Sequence, residues 1–195
     1  MRGLHFALCI VLMTIAAGCG GSSPMPSTPS SVPVSTSSEP AAPPGACAVG
    51  FEGLSANGAA FTSHKSCGLD IAVTAGTWQA STTYGQPAPF VQFLSPAGTT
   101  TTGETTVSGA GATFAFTSVD IYSSTTKIPY EITGLTGAAV VFTLQGEQGN
   151  TFGRFATIAG PGAAAQIDKL RIRLTNPAAP CCQNPVGLDN IRVVR

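Results

Sequence analysis

Lys169-Leu170-Arg171-Ile172-Arg173-Leu174 alternates a charged side chain with an aliphatic one over six residues. Successive side chains of a β-strand point to opposite faces, so this run reads as a strand with one wet and one buried face. The same period recurs upstream. Ile128, Tyr130 and Ile132 share one parity, and so do Val140, Phe142 and Leu144. Strands are expected at 48–52, 69–74, 89–94, 104–108, 112–122, 127–133, 138–144, 152–158, 167–174 and 188–194. Turn signals such as Ala97-Gly98, Gly134, Gly137, Gly146 and Gly149-Asn150 separate them. Within 112–122, Phe114 and Phe116 have one parity while Val119 and Ile121 have the other. A bulge near Thr117–Ser118 would return both pairs to one face. No segment reads as a helix. Many short antiparallel strands predict an all-β domain over residues 46–195, a two-sheet antiparallel β-sandwich or jelly roll.

Composition agrees. Of 195 residues only 9% are charged, against about 25% in an ordinary soluble protein. The formal net charge is +0, which leaves no basic excess for nucleic acid. Glycine is abundant at 23 residues, and Ser and Thr crowd the centre of the chain.

The N-terminus is built differently. Arg2 precedes an apolar run, His5 to Ala17, that is shorter than the about 20 residues a membrane-spanning helix needs. Residues 1–18 therefore read as a signal peptide. Ala16-Ala17-Gly18-Cys19 resembles a bacterial lipobox, with Ala16 standing where Leu is usual. The resemblance implies cleavage before Cys19, a diacylglycerol thioether on its sulfur and a palmitate-type acyl chain on the new amino terminus. Several acyl chains anchor a protein stably in a membrane. Gly20 follows, where an Asp would resemble an inner-membrane retention signal, so an exported, outer-membrane lipoprotein is implied. Residues 19–45 are almost all Gly, Ser, Pro, Thr and Ala. Such a stretch cannot bury enough apolar surface to offset chain entropy, and it reads as a disordered tether.

Four cysteines remain beyond Cys19: Cys47, Cys67, Cys181 and Cys182. An even number in an exported domain implies disulfides. Three pairings are possible. Cys47–Cys67 with a vicinal Cys181–Cys182 bond is favoured, because two adjacent bridges to separate partners constrain the backbone severely.

No catalytic constellation emerges. His64, in Phe61-Thr62-Ser63-His64-Lys65-Ser66-Cys67-Gly68, is the one histidine after the signal peptide and reads as an exposed loop residue. No nucleophile elbow, phosphate loop or dinucleotide fingerprint is present, and the acids are scattered. The chain reads as a non-enzyme. For binding, Trp78 and Tyr84 lie in a loop-like stretch rich in Gly, Thr and Pro, and either could stack on a pyranose ring. The Lys169–Arg171–Arg173 stripe could meet an acidic ligand or be a solvated sheet face.

Four further stretches carry a joint resemblance: Val49–Leu54 (VGFEGL), Phe114–Ser123 (FAFTSVDIYS), Pro129–Phe142 (PYEITGLTGAAVVF) and Gly187–Val193 (GLDNIRV). They resemble a family of bacterial extracellular domains, some with a PEP-CTERM sorting tail, and the galactose-binding-like jelly roll of many carbohydrate-binding modules. This chain ends at Arg195 with no terminal hydrophobic segment, so its anchor is expected at the lipid. The resemblance implies a structural calcium between the first and last strands, with Glu52 and Asp189 as candidate ligands. It also implies a non-catalytic module that binds carbohydrate. The alternative is a structural lipoprotein that interacts with envelope proteins and takes no sugar.

Overall fold

The computed structural model describes residues 45–83, 88–96, 98–151, 154–178 and 184–195. The expected signal peptide, Cys19, the expected tether up to residue 44, Tyr84, Cys181 and Cys182 lie outside the described residues.

The strands are β1 (Ala46–Val49), β2 (Ala60–Phe61), β3 (Ser63–Ser66), β4 (Leu69–Ala75), β5 (Trp78–Ser81), β6 (Phe90–Phe93) and β7 (Thr101–Ser108). They continue as β8 (Phe114–Ser123), β9 (Ile128–Thr136), β10 (Ala139–Gln148), β11 (Ala156–Ala159), β12 (Gln166–Ile167), β13 (Lys169–Asn176) and β14 (Val186–Val194). One sheet runs β11-β8-β14-β6-β5-β2, with β1 also on β14 and β12 also on β8. The other runs β10-β9-β13-β7-β4-β3. Pairing between these strands is antiparallel throughout. From β6 to β9 the chain changes sheet at every connection, and β13 and β14 again lie in different sheets. This is a two-sheet β-sandwich of jelly-roll type.

The decisive strand behaves as its alternation dictates. Leu170, Ile172 and Leu174 of β13 are fully buried, whereas Lys169 and Arg173 face out. Ile132 of β9, directly opposite Ile172, shares that core. The expected bulge in β8 is present. Ser118 stands opposite Arg192 and Phe116 opposite Val193, so Thr117 has no partner in the ladder. Phe114, Phe116, Val119 and Ile121 consequently all reach the core. β14 carries a matching irregularity, with Asn190 at φ +46° between the Asp189–Asp120 and Arg192–Ser118 pairs. It lets Leu188 and Ile191, of opposite parity, both point inward.

Three expectations need correction. Val140 does not share a face with Phe142 and Leu144. A register shift between Val140 and Phe142 turns it outward, where it is 60% exposed. His64 is not on a loop: it lies half-buried on β3, 5.6 Å from the Phe51 ring. The stretch around Trp78 is strand β5.

Cys47 and Cys67 form the favoured disulfide. It ties β1 in one sheet to the β3–β4 turn in the other. That turn has just two residues between paired Ser66 and Leu69, Cys67 at φ +58° and Gly68 at φ +68°. Positive φ at both central positions matches the right-handed twist of a hairpin, but it is costly for a residue with a Cβ. The bridge and a hydrogen bond from Arg195 Nη1 to the Cys67 carbonyl (2.9 Å) hold Cys67 there.

Candidate functional site

Trp78 is a core residue. It is 2% exposed, its indole N–H donates to the Ala75 carbonyl (3.0 Å), and its ring lies 5.6 Å from that of Phe93. Gly103 closes over both rings, since a Cβ there would sit within 3 Å of each. No face of the indole is left for a sugar, so the stacking role expected of Trp78 is corrected. A lone Trp flanked by small polar residues looks like a loop platform in sequence. Only the packing against β6 and β7 shows otherwise.

Asp189 and Glu52 do come within electrostatic reach of each other. Asp189 is 4% exposed on β14, opposite Asp120 of β8. Asp120 is fully engaged: Arg192 donates to both of its oxygens (3.1 and 3.2 Å), and the Thr157 hydroxyl donates to Oδ1 (2.6 Å). Asp189 is less well served. Its Oδ2 accepts from Asn190 Nδ2 (3.2 Å), and its Oδ1 is buried with no hydrogen-bond partner among the described residues. Burial raises its pKa to about 7, the Glu52 and Asp120 carboxylates push the same way, and the Asn190 backbone N–H and the Arg192 charge oppose them.

A buried carboxylate oxygen within electrostatic range of the Glu52 and Asp120 charges is the kind of place a cation could occupy. A calcium ion takes about six to eight oxygens. Among the described residues no three His, Cys, Asp or Glu side chains gather to hold a metal. The remaining donors would have to be backbone carbonyls and water, with Asp189 and Glu52 as the side-chain ligands.

An open recess lies elsewhere, on the outer face of the six-stranded sheet. A groove of about 390 Å³ crosses β10, β9 and β13, lined by Pro129, Tyr130 and Glu131, by Gln145 and Gly146, and by Arg173 and Thr175. The register explains it. Glu131 is opposite both Gln145 and Arg173, so three outward side chains form one row across three strands. Gln145 Nε2 donates to Glu131 Oε2 (2.9 Å), and Arg171 Nη2 donates to Oε1 (3.3 Å). Arg173 is braced from the other side by Glu104, at 2.8 Å from both Nε and Nη2. Glu104 also accepts from the Thr74 hydroxyl (2.8 Å). The basic stripe therefore carries no free field at Arg171 or Arg173, because each meets a carboxylate. Gly146 contributes only backbone to the groove wall, and the Tyr130 ring packs over it on the inner side.

No family model matches this chain, and no curated protein does. Among solved structures it is similar to a family 29 carbohydrate-binding module from Piromyces equi, at 10% identity and a TM-score of 0.45, over 76% of this chain and 88% of that one. It is also similar to TmCBM61 in complex with β-1,4-galactotriose, at 9% identity and TM-score 0.41, over 65% and 88%. A family 11 module from Clostridium thermocellum, in complex with a β-1,3-1,4-mixed-linked tetrasaccharide, aligns at 15% identity and TM-score 0.33, over 72% and 97%.

Sequence reasoning did not single out Glu131, Gln145 or Glu104. The signal was available in part. Outward positions of β9 and β10 follow from alternation, and a hairpin at Gly137 brings residues of the two strands opposite each other. The bulge at Val141 sets which residues meet, and nothing local in the sequence announces it.

Proposed function

We propose that this domain is a non-catalytic binding module for a neutral carbohydrate, and that the ligand lies in the groove across β10, β9 and β13. The observation that carries the reading is the row Gln145–Glu131–Arg173. It offers carboxamide, carboxylate and guanidinium groups side by side, with the charges already paired. Sugar hydroxyls both donate and accept, so they match such a row without needing a net field. The groove volume is in the range of small-ligand sites, about 300–1,000 Å³.

The module would be carried on an outer-membrane lipoprotein, anchored through Cys19 and spaced from the lipid by residues 20–45. A structural calcium at Asp189 and Glu52 belongs to the same proposal.

A panel of neutral and acidic glycans tests the ligand, with Gln145→Ala and Arg173→Ala beside the parent. Binding of a neutral glycan that weakens about tenfold or more in either variant, at unchanged thermal stability, supports the groove. Silence from a folded protein across the panel favours the alternative, a structural envelope lipoprotein with protein partners. Palmitate labelling that disappears in Cys19→Ser tests the anchor.

A further inference from the structure

We propose that β10 is a self-association strand, through which a second copy of this chain pairs antiparallel and joins two six-stranded sheets into one. The edge of β10 motivates this. Among the described residues β10 ends its sheet and pairs with no strand but β9, and it is ten residues long. A sheet edge presents unpaired N–H and C=O groups that template further pairing, and proteins blunt it with short strands, lysine, proline or bulges. The other strands that end a sheet path follow that rule: β2 has two residues, β11 has four, and β3 has four with Lys65 among them. β10 does not. Its bulge lies at Val141, near one end, and Phe142–Gln148 then runs in regular register with no Lys, Arg or Pro. Among the described residues, the large hydrophobic side chains left exposed are Val140 (60%) and Val141 (44%), both on this strand.

Charge selects the second copy as the occupant. Residues 46–195 carry eight Lys and Arg against eight Asp and Glu, so two copies of the domain do not repel as wholes. The one ionisable side chain of β10 is Glu147. In a two-fold antiparallel pairing centred near Leu144, the two Glu147 carboxylates fall about 20 Å apart, at opposite ends of the ladder. Each valine pair is then covered by the far end of the partner strand. An antiparallel edge is also self-complementary in its backbone hydrogen bonds, which is what an isologous interface requires. The groove borders this edge through Gln145 and Gly146, so pairing would set two grooves side by side.

The experiment is sedimentation equilibrium of the mature lipidated protein in density-matched detergent, over a wide concentration range. The parent is compared with Thr143→Lys and Val141→Lys on β10, and with Ser63→Lys on the opposite edge. The expected result is a monomer–dimer equilibrium weakened about tenfold or more by either β10 variant and untouched by Ser63→Lys, with the thermal midpoint unchanged in all three. A parent that stays monomeric throughout overturns the proposal. So does a dimer that survives both β10 lysines. Binding of a monovalent oligosaccharide to Thr143→Lys separates the two readings, because the groove residues are intact in that variant.

Discussion

The ring of Tyr122 lies across Gly187, the residue directly opposite it in the β8–β14 ladder, so closely that a Cβ at position 187 would overlap the ring. Tyr122 cannot step aside. It is fully buried, with Phe90 edge-on at 5.4 Å and Phe155 edge-on at 4.9 Å. Phe142 over Gly134 and Tyr130 over Gly146 repeat the arrangement in the other sheet. In each case an aromatic face covers backbone that a glycine would otherwise leave bare.

Gly187→Ala should therefore destabilise the domain by about 1–3 kcal/mol, the usual cost of forcing a methyl into a filled core. Urea denaturation measures it. A change within about 0.5 kcal/mol would mean the ring relaxes freely and the packing account is wrong.

Asp189 should make stability fall as pH rises. Its folded pKa of about 7 lies above the ordinary value of 3.8, chiefly because burial disfavours the carboxylate. Between those values the folded state holds a proton that the unfolded state has released. Stability is then lost from about pH 4 to pH 7, by about 1–4 kcal/mol, and levels off above. Asp189→Asn should flatten this slope when the measurement is made in chelator. A slope unchanged in that variant would assign the dependence to other groups.

Calcium should reverse the same penalty. At pH 8 in excess calcium, the thermal midpoint should rise, and chelator should return it to its starting value. Asp189→Asn and Glu52→Gln should each lose the response. A parent protein whose midpoint ignores calcium would remove the cation from the account and leave Asp189 as a buried acid alone.

Reduction of Cys47–Cys67 should cost about 3 kcal/mol, the loop-closure value for a bridge spanning 20 residues. Cys67 contributes a second reason, since the bridge holds it at positive φ. A Cys47→Ala, Cys67→Gly double variant should recover part of the loss, because glycine removes the Cβ penalty in the turn. If the double variant is no more stable than Cys47→Ala, Cys67→Ala, the turn carries no such cost.

The outline of the sandwich was legible because its longest strands alternate cleanly. Leu170, Ile172 and Leu174 declare one face of β13, and the parity break between Phe116 and Val119 declares the bulge at Thr117. The short strands were not legible. β2 and β12 have two residues each, too few for a period, and the Cys67-Gly68 turn lacks the usual Asn-Gly or Asp-Gly signature. The candidate groove was hidden for a different reason. Glu131, Gln145 and Arg173 are ordinary outward residues of three strands, and only the register that aligns them makes a row. Trp78 misled because a residue's type says nothing of which neighbours cover it.

The most direct test of the ligand account is a titration of the isotopically labelled protein with a neutral oligosaccharide from the glycan panel, following backbone amide shifts. A ligand in the groove should give saturable shifts concentrated at Pro129's neighbours, Glu131, Gln145, Gly146, Arg173 and Thr175, the residues around one groove on one sheet face. Saturable shifts that cluster away from that face, or none with any glycan, would contradict it.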